Sequence, residues 1–421
     1  MKEAVRELCR QAVGAAKAPS NYVNRSPLSD TRWNVPFERL PAFTTAVEAL
    51  GQDERIQAQF GPQTERTVVL KFVFEFLGKL ERLTYDAQAF EQTWDTMQRE
   101  LGEPNRRFVI VTNLQNFTSQ DEMISIAESV TIRARSYEEL SRILLWSEEK
   151  IDRTLGDDWS RTGGGGYVML VETQQQKSPE NLVLVNDVHG VENLSRALLA
   201  LRLYKAGFVR TGVWFYARPE CFSIAIGGIA SGGGATWQPG LAYGLTAAEG
   251  GAVNGIYELL GRLVARDESQ LRSIQIALNA FSSLYTREHY RADDRLVNAI
   301  TALEALLRID FELAFRSAFR VAGILASSDD ERMDIFDRMR SYYDTRSKIV
   351  HGSQLREKHQ SDLQNQEPLL QWTRLLLLGF LQLADRGLLD DAFYDDLDAA
   401  LLHEEKRGQL RTRMGLVSDH G

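Results

Sequence analysis

Residues 341–353, SYYDTRSKIVHGS, decide how the C-terminal half of the chain is interpreted. Apolar side chains recur at steps of three and four through this segment and the one before it, which is the period of an α-helix. Gly352 is the residue type that ends helices, because glycine accepts a positive φ without penalty. We therefore expect Arg346 to project from the last turns of a helix. We expect His351 at the C-terminus of that helix, where unpaired carbonyls and the helix dipole favour a protonated imidazole.

Arg346 and His351 form a pair whose chemistry suits a phosphodiester. The imidazole can take the proton of a ribose 2′-hydroxyl or give one to the leaving 5′-oxygen, and the guanidinium can hold the non-bridging phosphate oxygens as charge develops. This scheme requires no metal ion. Five residues of helix turn by about 140° beyond one full turn, so the two side chains point in different directions within one ideal helix. Either the helix end bends or two copies of the chain combine their pairs across a symmetric interface, and we favour the second arrangement.

The Arg-x4-His spacing is a weak motif when it is taken alone. Arg413 and His420 also fit the pattern if six intervening residues are allowed, and they lie in a polar segment without apolar periodicity. A surface arginine followed by a capping histidine is the alternative interpretation of Arg346 and His351. The spacing therefore identifies a candidate pair, which needs support from the neighbouring sequence.

Three linked blocks supply that support. Residues 296–307 read LVNAITALEALL, residues 312–325 read ELAFRSAFRVAGIL, and the segment 342–352 follows. In order and spacing these blocks, within residues 250–405, resemble the Apea-like branch of the HEPN superfamily. The resemblance implies a bundle of four to five helices that dimerises. In many members it also implies a metal-independent ribonuclease that uses an Arg-x4-6-His motif.

By the same resemblance, Arg346 and His351 are the catalytic pair and face their symmetry mates. Many active members have Asn, Asp or His directly after the arginine, where this chain has Ser347. The resemblance gives Ser347 a supporting role. Some related toxins carry a nucleotidylated tyrosine two residues after the histidine, but this chain has Ser353 there, so that regulation is not expected.

Glu304 stands in an otherwise apolar run, where an isolated carboxylate is costly unless it is paired or exposed. We expect it to bond Arg346, or failing that Arg320, and to hold a guanidinium in place as a supporting residue. A solvent-facing glutamate on an amphipathic helix is the alternative. Lys348 and Arg340 belong to a cluster of basic residues in the same helices and are the candidate RNA-binding residues, although acidic residues alternate with them.

The composition bounds the class of protein. The chain has 421 residues, of which 43% are hydrophobic and 25% charged, which predicts two or three domains with ample core. Its net charge of −9 argues against a broad nonspecific grip on nucleic acid, so any RNA site must be local. Two distant cysteines argue against a disulfide framework or a thiolate zinc site, and we expect no metal. The N-terminus lacks a secretory signal and the longest apolar stretch, near 375–383, is too short to span a membrane, which predicts a cytoplasmic protein without a membrane partner.

Two glycine runs, 163–166 and 232–234, lack the Lys-Ser/Thr of a P-loop and the strand–GxGxxG–helix context of a dinucleotide fold. We interpret them as turns and expect no cofactor. Residues 67–80 are apolar enough for a buried helix, yet their β-branched start leaves a strand open.

These patterns predict an α+β chain in which a mixed α/β domain precedes an all-α bundle of HEPN type. Residues 1–240 are expected to form a sensor or regulatory domain, with a helical subdomain at 1–104. Residues 245–405 are expected to form the bundle, and residues 406–421 a flexible tail.

Two functions remain open from the sequence. The first is a metal-independent endoribonuclease that cleaves RNA through 2′-hydroxyl attack, acts as a homodimer, and serves as a toxin-like or antiviral defence effector controlled by its N-terminal domain. The second is a noncatalytic HEPN module that dimerises and binds a protein or a nucleotide. An open cleft around Arg346 favours the first function, and burial of that arginine under Glu304 favours the second.

Overall fold

The computed structural model describes residues 1–16, 37–61, 64–80, 82–144, 166–178, 188–217, 229–230, 242–264, 268–286 and 291–416. The chain is α+β, with helices at both ends and an antiparallel sheet between them. The second glycine run, 232–234, lies outside the described residues.

The described α-helices fall before, within and after the sheet. Those before and within it are α1 Lys2–Ala15, α2 Pro41–Gly51, α3 Glu54–Phe60, α4 Glu65–Gly78, α5 Ala87–Gly102, α6 Tyr137–Leu144 and α7 Val188–Tyr204. Those after it are α8 Gly250–Val264, α9 Glu268–Thr286, α10 Ala292–Leu307, α11 Leu313–Leu325, α12 Asp329–Val350, α13 Glu357–Gln364, α14 Glu367–Asp385, α15 Asp391–Leu402 and α16 Glu404–Arg413.

The N-terminal helical unit, defined here as α1–α5, has a hydrophobic core of its own. Stacked and edge-on aromatic rings fill it, among them Phe72, Phe76, Phe90 and Trp94. The apolar segment 67–80, for which a strand was left open, lies in helix α4, because its buried residues recur with helical rather than alternating period.

The main sheet contains six strands in the order β3-β4-β5-β1-β6-β7, and its neighbouring strands are antiparallel. Strand β1 lies inside the sheet, where Ile110 pairs with Val171 on one side and Tyr216 on the other. A short parallel pair, β2 with β8, stands apart from it. The strands are β1 Asn105–Gln115, β2 Phe117–Thr118, β3 Met123–Ala127, β4 Val130–Ala134, β5 Tyr167–Gln176, β6 Arg210–Ala217, β7 Ile229–Ala230 and β8 Tyr243–Gly244.

One hydrophobic core joins the sheet to the C-terminal helices. Its fully buried members include Ile110 on β1, Leu201 on α7, Leu303 on α10 and Leu376 on α14. Residues on both sides of the expected boundary between 240 and 245 therefore belong to the same core. The physical reason is that helices α7 and α8 cover an apolar face of the sheet and pack against the bundle as well. The core boundary lies instead at the end of α5.

The expectation of a flexible tail over residues 406–421 is corrected for the residues that the structure describes. Residues Glu404–Arg413 form helix α16, which buries Leu410 and Met414 against the bundle. The Arg407 Nη1 donates a hydrogen bond to the Ala326 carbonyl at 3.2 Å, at the C-terminus of α11 where carbonyls lack helical partners. Arg411 also donates to this carbonyl, at 2.5 Å, so two apolar residues four apart and two capping arginines dock this helix. Residues 417–421 lie outside the described part of the chain.

Candidate active site on helix α12

Helix α12 carries the candidate pair and has clear signals at both ends. The Ser328 hydroxyl accepts a hydrogen bond from the Glu331 backbone N–H at 3.2 Å, which satisfies one of the unpaired donors of the first turn. The helix ends at Val350 and is capped by His351. Gly352 follows with φ +63°, and the Ser353 N–H closes the end on the Lys348 carbonyl at 2.8 Å. The helix end predicted from the sequence is confirmed.

Helix α13 folds back on α12 and fixes its position. The Asp362 carboxylate accepts hydrogen bonds from the hydroxyls of Ser341 and Thr345, at 2.8 and 2.6 Å. The Tyr342 hydroxyl donates to the Asn365 carbonyl at 2.6 Å. The sequence analysis did not predict α13. The segment between Gly352 and the next apolar helix is polar in composition, and that was the only sequence signal for it. These bonds join α13 to the last three turns of α12.

Arg346 points toward helix α10. Its Nη2 donates to the Glu304 carboxylate at 3.4 Å, and its guanidinium carbon lies 5.7 Å from the centre of the Tyr343 ring. The expected contact between Glu304 and Arg346 is present. The solvent-facing alternative for Glu304 is wrong, because the side chain is only 18% exposed. Arg320 bonds Asp398 at 2.6 Å instead.

Tyr343 is a site residue that the sequence analysis missed. Its hydroxyl donates to the second oxygen of the Glu304 carboxylate at 2.9 Å, and the residue is buried. Burial, and next the hydrogen bond to Glu304, raise the pKa of Tyr343 to about 12. The hydroxyl therefore stays a donor at neutral pH. Its spacing of three residues before Arg346 was the available signal, since side chains at that spacing share a helix face.

An open groove of about 580 Å³ runs along the exposed side of α12. Arg340, Tyr343 and Ser347 line it, together with Ala314, Ser341, Asp344 and Lys358. Arg340, one of the two predicted RNA-binding residues, is exposed here, whereas Lys348 lies outside the described lining. The Lys358 ammonium pairs with the Asp344 carboxylate at 2.6 Å. Charges of both signs therefore meet in the groove.

His351 is exposed at the end of α12. Within the part of the chain that the structure describes, its side chain forms no hydrogen bond, and none joins it to Arg346. Because five residues separate Arg346 from His351, an ideal helix would turn their side chains in different directions.

His359 is a second histidine near the groove, and it is 1% exposed. Its Nδ1 accepts a hydrogen bond from the Arg356 backbone N–H at 3.0 Å, so its proton is on Nε2, which faces the Asp344 carboxylate at 3.2 Å. A hydrogen bond from Lys358 and a weaker one from His359 hold the pKa of Asp344 below its usual range. With both nitrogens engaged, His359 anchors α13.

Large apolar side chains are exposed around the same surface. Phe311, Phe315, Met333 and Val350, on or beside helices α11 and α12, are 51 to 60% exposed. The Phe315 ring also contacts Phe319 and Phe336. We call these four residues the apolar rim. Exposed apolar groups of this size on neighbouring helices are typical of an interaction surface.

In comparisons with known proteins, no family model, curated protein or solved structure matches the chain. Among the described residues, no group of three or more His, Cys, Asp or Glu side chains is placed to hold a metal ion. None of the described helices combines the length and apolarity that crossing a membrane requires.

Proposed function

We propose that the chain is a metal-independent endoribonuclease of HEPN type. The observation that carries this proposal is the placement of Arg346: the Glu304 carboxylate holds its guanidinium beside the Tyr343 ring, and Tyr343 and Ser347 line the open groove. A positioned guanidinium suits a phosphate whose charge increases during the reaction. His351 is exposed at the end of helix α12, five residues after Arg346.

In this mechanism His351 acts as acid and base. The imidazole takes the proton of a ribose 2′-hydroxyl while the 2′-oxygen attacks the adjacent phosphorus, so the O2′–P bond forms as the P–O5′ bond breaks. The imidazolium then returns the proton to the leaving 5′-oxygen. Arg346 binds the non-bridging oxygens, and the Ser347 hydroxyl assists as a hydrogen-bond donor. The products are a 2′,3′-cyclic phosphate and a 5′-hydroxyl.

The site requires two copies of the chain, with Arg346 of one copy acting beside His351 of the other. Their different directions on α12 support this arrangement. The apolar rim supports it too, because a symmetric pair of α11–α12 surfaces would bury the exposed rings and Val350. Each homodimer then contains two equivalent sites.

Arg340 is proposed to bind the RNA backbone from the groove. Lys348, half-buried on the same helix, is proposed to add a second cation close to the helix end. Residues before the bundle would restrain the nuclease until a trigger is sensed, as in a toxin-like or antiviral defence effector of the cytoplasm.

The second candidate function is a noncatalytic interaction module. The contact between Arg346 and Glu304 favours it, because a carboxylate that neutralises the guanidinium also competes with phosphate. In that case the apolar rim and the groove bind a protein or a nucleotide and no RNA is cut.

One experiment separates the two functions. Purified parent protein, Arg346→Ala and His351→Ala are incubated with RNA in EDTA, and the product ends are identified. The ribonuclease proposal predicts cleavage by the parent that leaves 2′,3′-cyclic phosphate, and its loss in both variants with folding retained. Arg356→Ala is the matched control, since Arg356 is exposed beyond the helix end. Cleavage that a chelator abolishes but that survives both substitutions would contradict the proposal.

A further inference from the structure

Tyr343, Glu304 and Arg346 form one hydrogen-bonded unit. The Glu304 carboxylate uses one oxygen to accept from the Tyr343 hydroxyl at 2.9 Å and the other to accept from the Arg346 guanidinium at 3.4 Å. The guanidinium also lies against the tyrosine ring. Helix α12 contributes two of the three side chains, and α10 contributes the third.

The two bonds to Glu304 differ in strength. The tyrosine bond has normal length, whereas the arginine contact is near the limit for a hydrogen bond. A carboxylate that already accepts from a hydroxyl is oriented, and part of its charge is satisfied. Its hold on the guanidinium is correspondingly weak, which leaves Arg346 able to exchange Glu304 for a phosphate oxygen.

We propose that Tyr343 is a positioning residue, which holds the Glu304 carboxylate back from a close ion pair with Arg346 and so keeps the guanidinium available for the RNA phosphate. This inference rests on the proposed ribonuclease function. It adds a residue that the Arg-x4-His motif does not contain. Tyr343 acts through Glu304, and it lines the groove in which the phosphate would lie.

Removal of the hydroxyl has a directional consequence. In Tyr343→Phe the freed carboxylate oxygen loses its donor, and the nearest replacement is the Arg346 guanidinium, which can donate two parallel N–H···O bonds to the carboxylate. The Glu304 carboxylate then neutralises the charge of Arg346, which is less available to stabilise the phosphate. We expect kcat/KM for RNA to fall by about 10-fold, the lower end of what residues that orient a functional group contribute.

A double-mutant cycle tests the coupling. Tyr343→Phe, Glu304→Gln and the double variant are compared for cleavage in EDTA and for binding of a fluorescent 2′-O-methyl oligoribonucleotide, which has no free 2′-hydroxyl to react. Because Tyr343 acts through the carboxylate, its substitution should weaken cleavage and binding in the parent and change neither in the Glu304→Gln background. Effects that multiply in the double variant would overturn the inference.

Tyr342→Phe is the matched control. Tyr342 lies next in sequence and its hydroxyl also donates a buried bond, but to the Asn365 carbonyl away from Arg346. Its loss should lower thermal stability without changing cleavage per folded molecule. Glu304→Asp, which keeps the charge but withdraws the carboxylate from Arg346 by one methylene, gives a second measurement if Tyr343→Phe is poorly folded, and we expect oligoribonucleotide binding not to weaken in it.

The two readouts keep this inference separate from the proposed function. If the parent cleaves RNA but the effects of the two substitutions multiply, the ribonuclease proposal stands and the proposed role of Tyr343 is rejected. If the parent does not cleave RNA but the binding measurements show the coupling, the role of Tyr343 stands and the ribonuclease proposal is rejected. A parent that neither cleaves RNA nor binds the oligoribonucleotide contradicts both.

Discussion

The N-terminal helical unit and the remainder of the described chain are built on different principles. Among the described residues, helices α1–α5 and the short 3-10 helix Phe37–Arg39 enclose a core separate from that of the sheet and the C-terminal helices. Their described contacts with the sheet include the hydrogen bond from Lys177 to the Glu100 carbonyl and the approach of Arg106 to the Phe60 ring. The sheet and the C-terminal helices, by contrast, are far apart in sequence but enclose one core. Elements that follow each other in sequence, such as α5 and β1, therefore belong to different parts of the fold. Elements that are distant in sequence form a single folding unit.

The largest expected effect comes from dividing the chain where the composition changes rather than where the core ends. A fragment of residues 245–405 lacks the sheet and α7, so it exposes the apolar surfaces that they cover, and we expect no cooperative unfolding transition. A fragment of residues 103–421 retains the whole shared core and should unfold cooperatively. Circular dichroism during heating compares the two. A cooperative transition of the short fragment near the parent Tm would contradict the single shared core.

Core truncations should then separate the two regions. Phe72→Ala should cost about 3–5 kcal/mol in the N-terminal helical unit, and Leu376→Ala about 2–5 kcal/mol in the shared core, since both side chains are fully buried. Hydrogen exchange measured by mass spectrometry should show faster exchange in α1–α5 alone for the first variant. For the second, it should show faster exchange in the sheet and the bundle together. Exchange that rises across the whole chain in both variants would mean that the two cores are one.

A smaller effect is expected where α7, which covers the sheet, is hydrogen-bonded to helix α14 of the bundle. The buried Arg374 on α14 donates to the carbonyls of Leu203 and Tyr204 at the end of α7, at 2.7 and 2.8 Å. Arg374→Met leaves these acceptors without their donor and should cost about 3 kcal/mol in urea unfolding. Arg386→Met, at the exposed end of the same helix, is the control and should cost under about 1 kcal/mol. Equal losses in the two variants would remove the special role of this link.

The smallest effect concerns pH. A hydrogen bond from Lys205 at the end of α7, and next one from the Thr246 backbone, lower the pKa of Glu249 from 4.5 to about 2. A folded-state pKa below the unfolded one stabilises the fold above the unfolded pKa, and this contribution is lost as the pH falls from about 4.5 to about 2. Glu249→Gln should therefore lower the Tm at pH 7 by a few degrees and match the parent near pH 2. A Tm difference that is constant with pH would contradict this.

The sequence predicted what local patterns determine. The helix end at Gly352 depends on residues close in sequence, and the cost of burying a lone carboxylate led to the pair between Glu304 and Arg346. Tyr343 was missed because a tyrosine on an apolar helix face is ordinarily core, and only its distance from α10 reveals the bond to Glu304.

Long-range packing accounts for the other misses. The shared core depends on which faces of distant elements meet, and no periodicity within α7 or α14 encodes that pairing. Helix α16 was interpreted as a tail because its composition is polar, yet Leu410 and Met414 suffice once a complementary surface is present. Helix α13 depends on the buried His359, whose role follows from Asp344 fifteen positions earlier.

The most direct test of the account is activity from a mixed dimer. Chains carrying Arg346→Ala and His351→Ala are co-expressed with different affinity tags, and the dimer that carries both tags is purified and assayed with RNA in EDTA. Because each site takes Arg346 from one copy and His351 from the other, the mixed dimer retains one intact site of two and should cleave at about half the parent rate, while each variant alone is inactive. A mixed dimer as inactive as the single variants would contradict a catalytic site built from two copies of the chain.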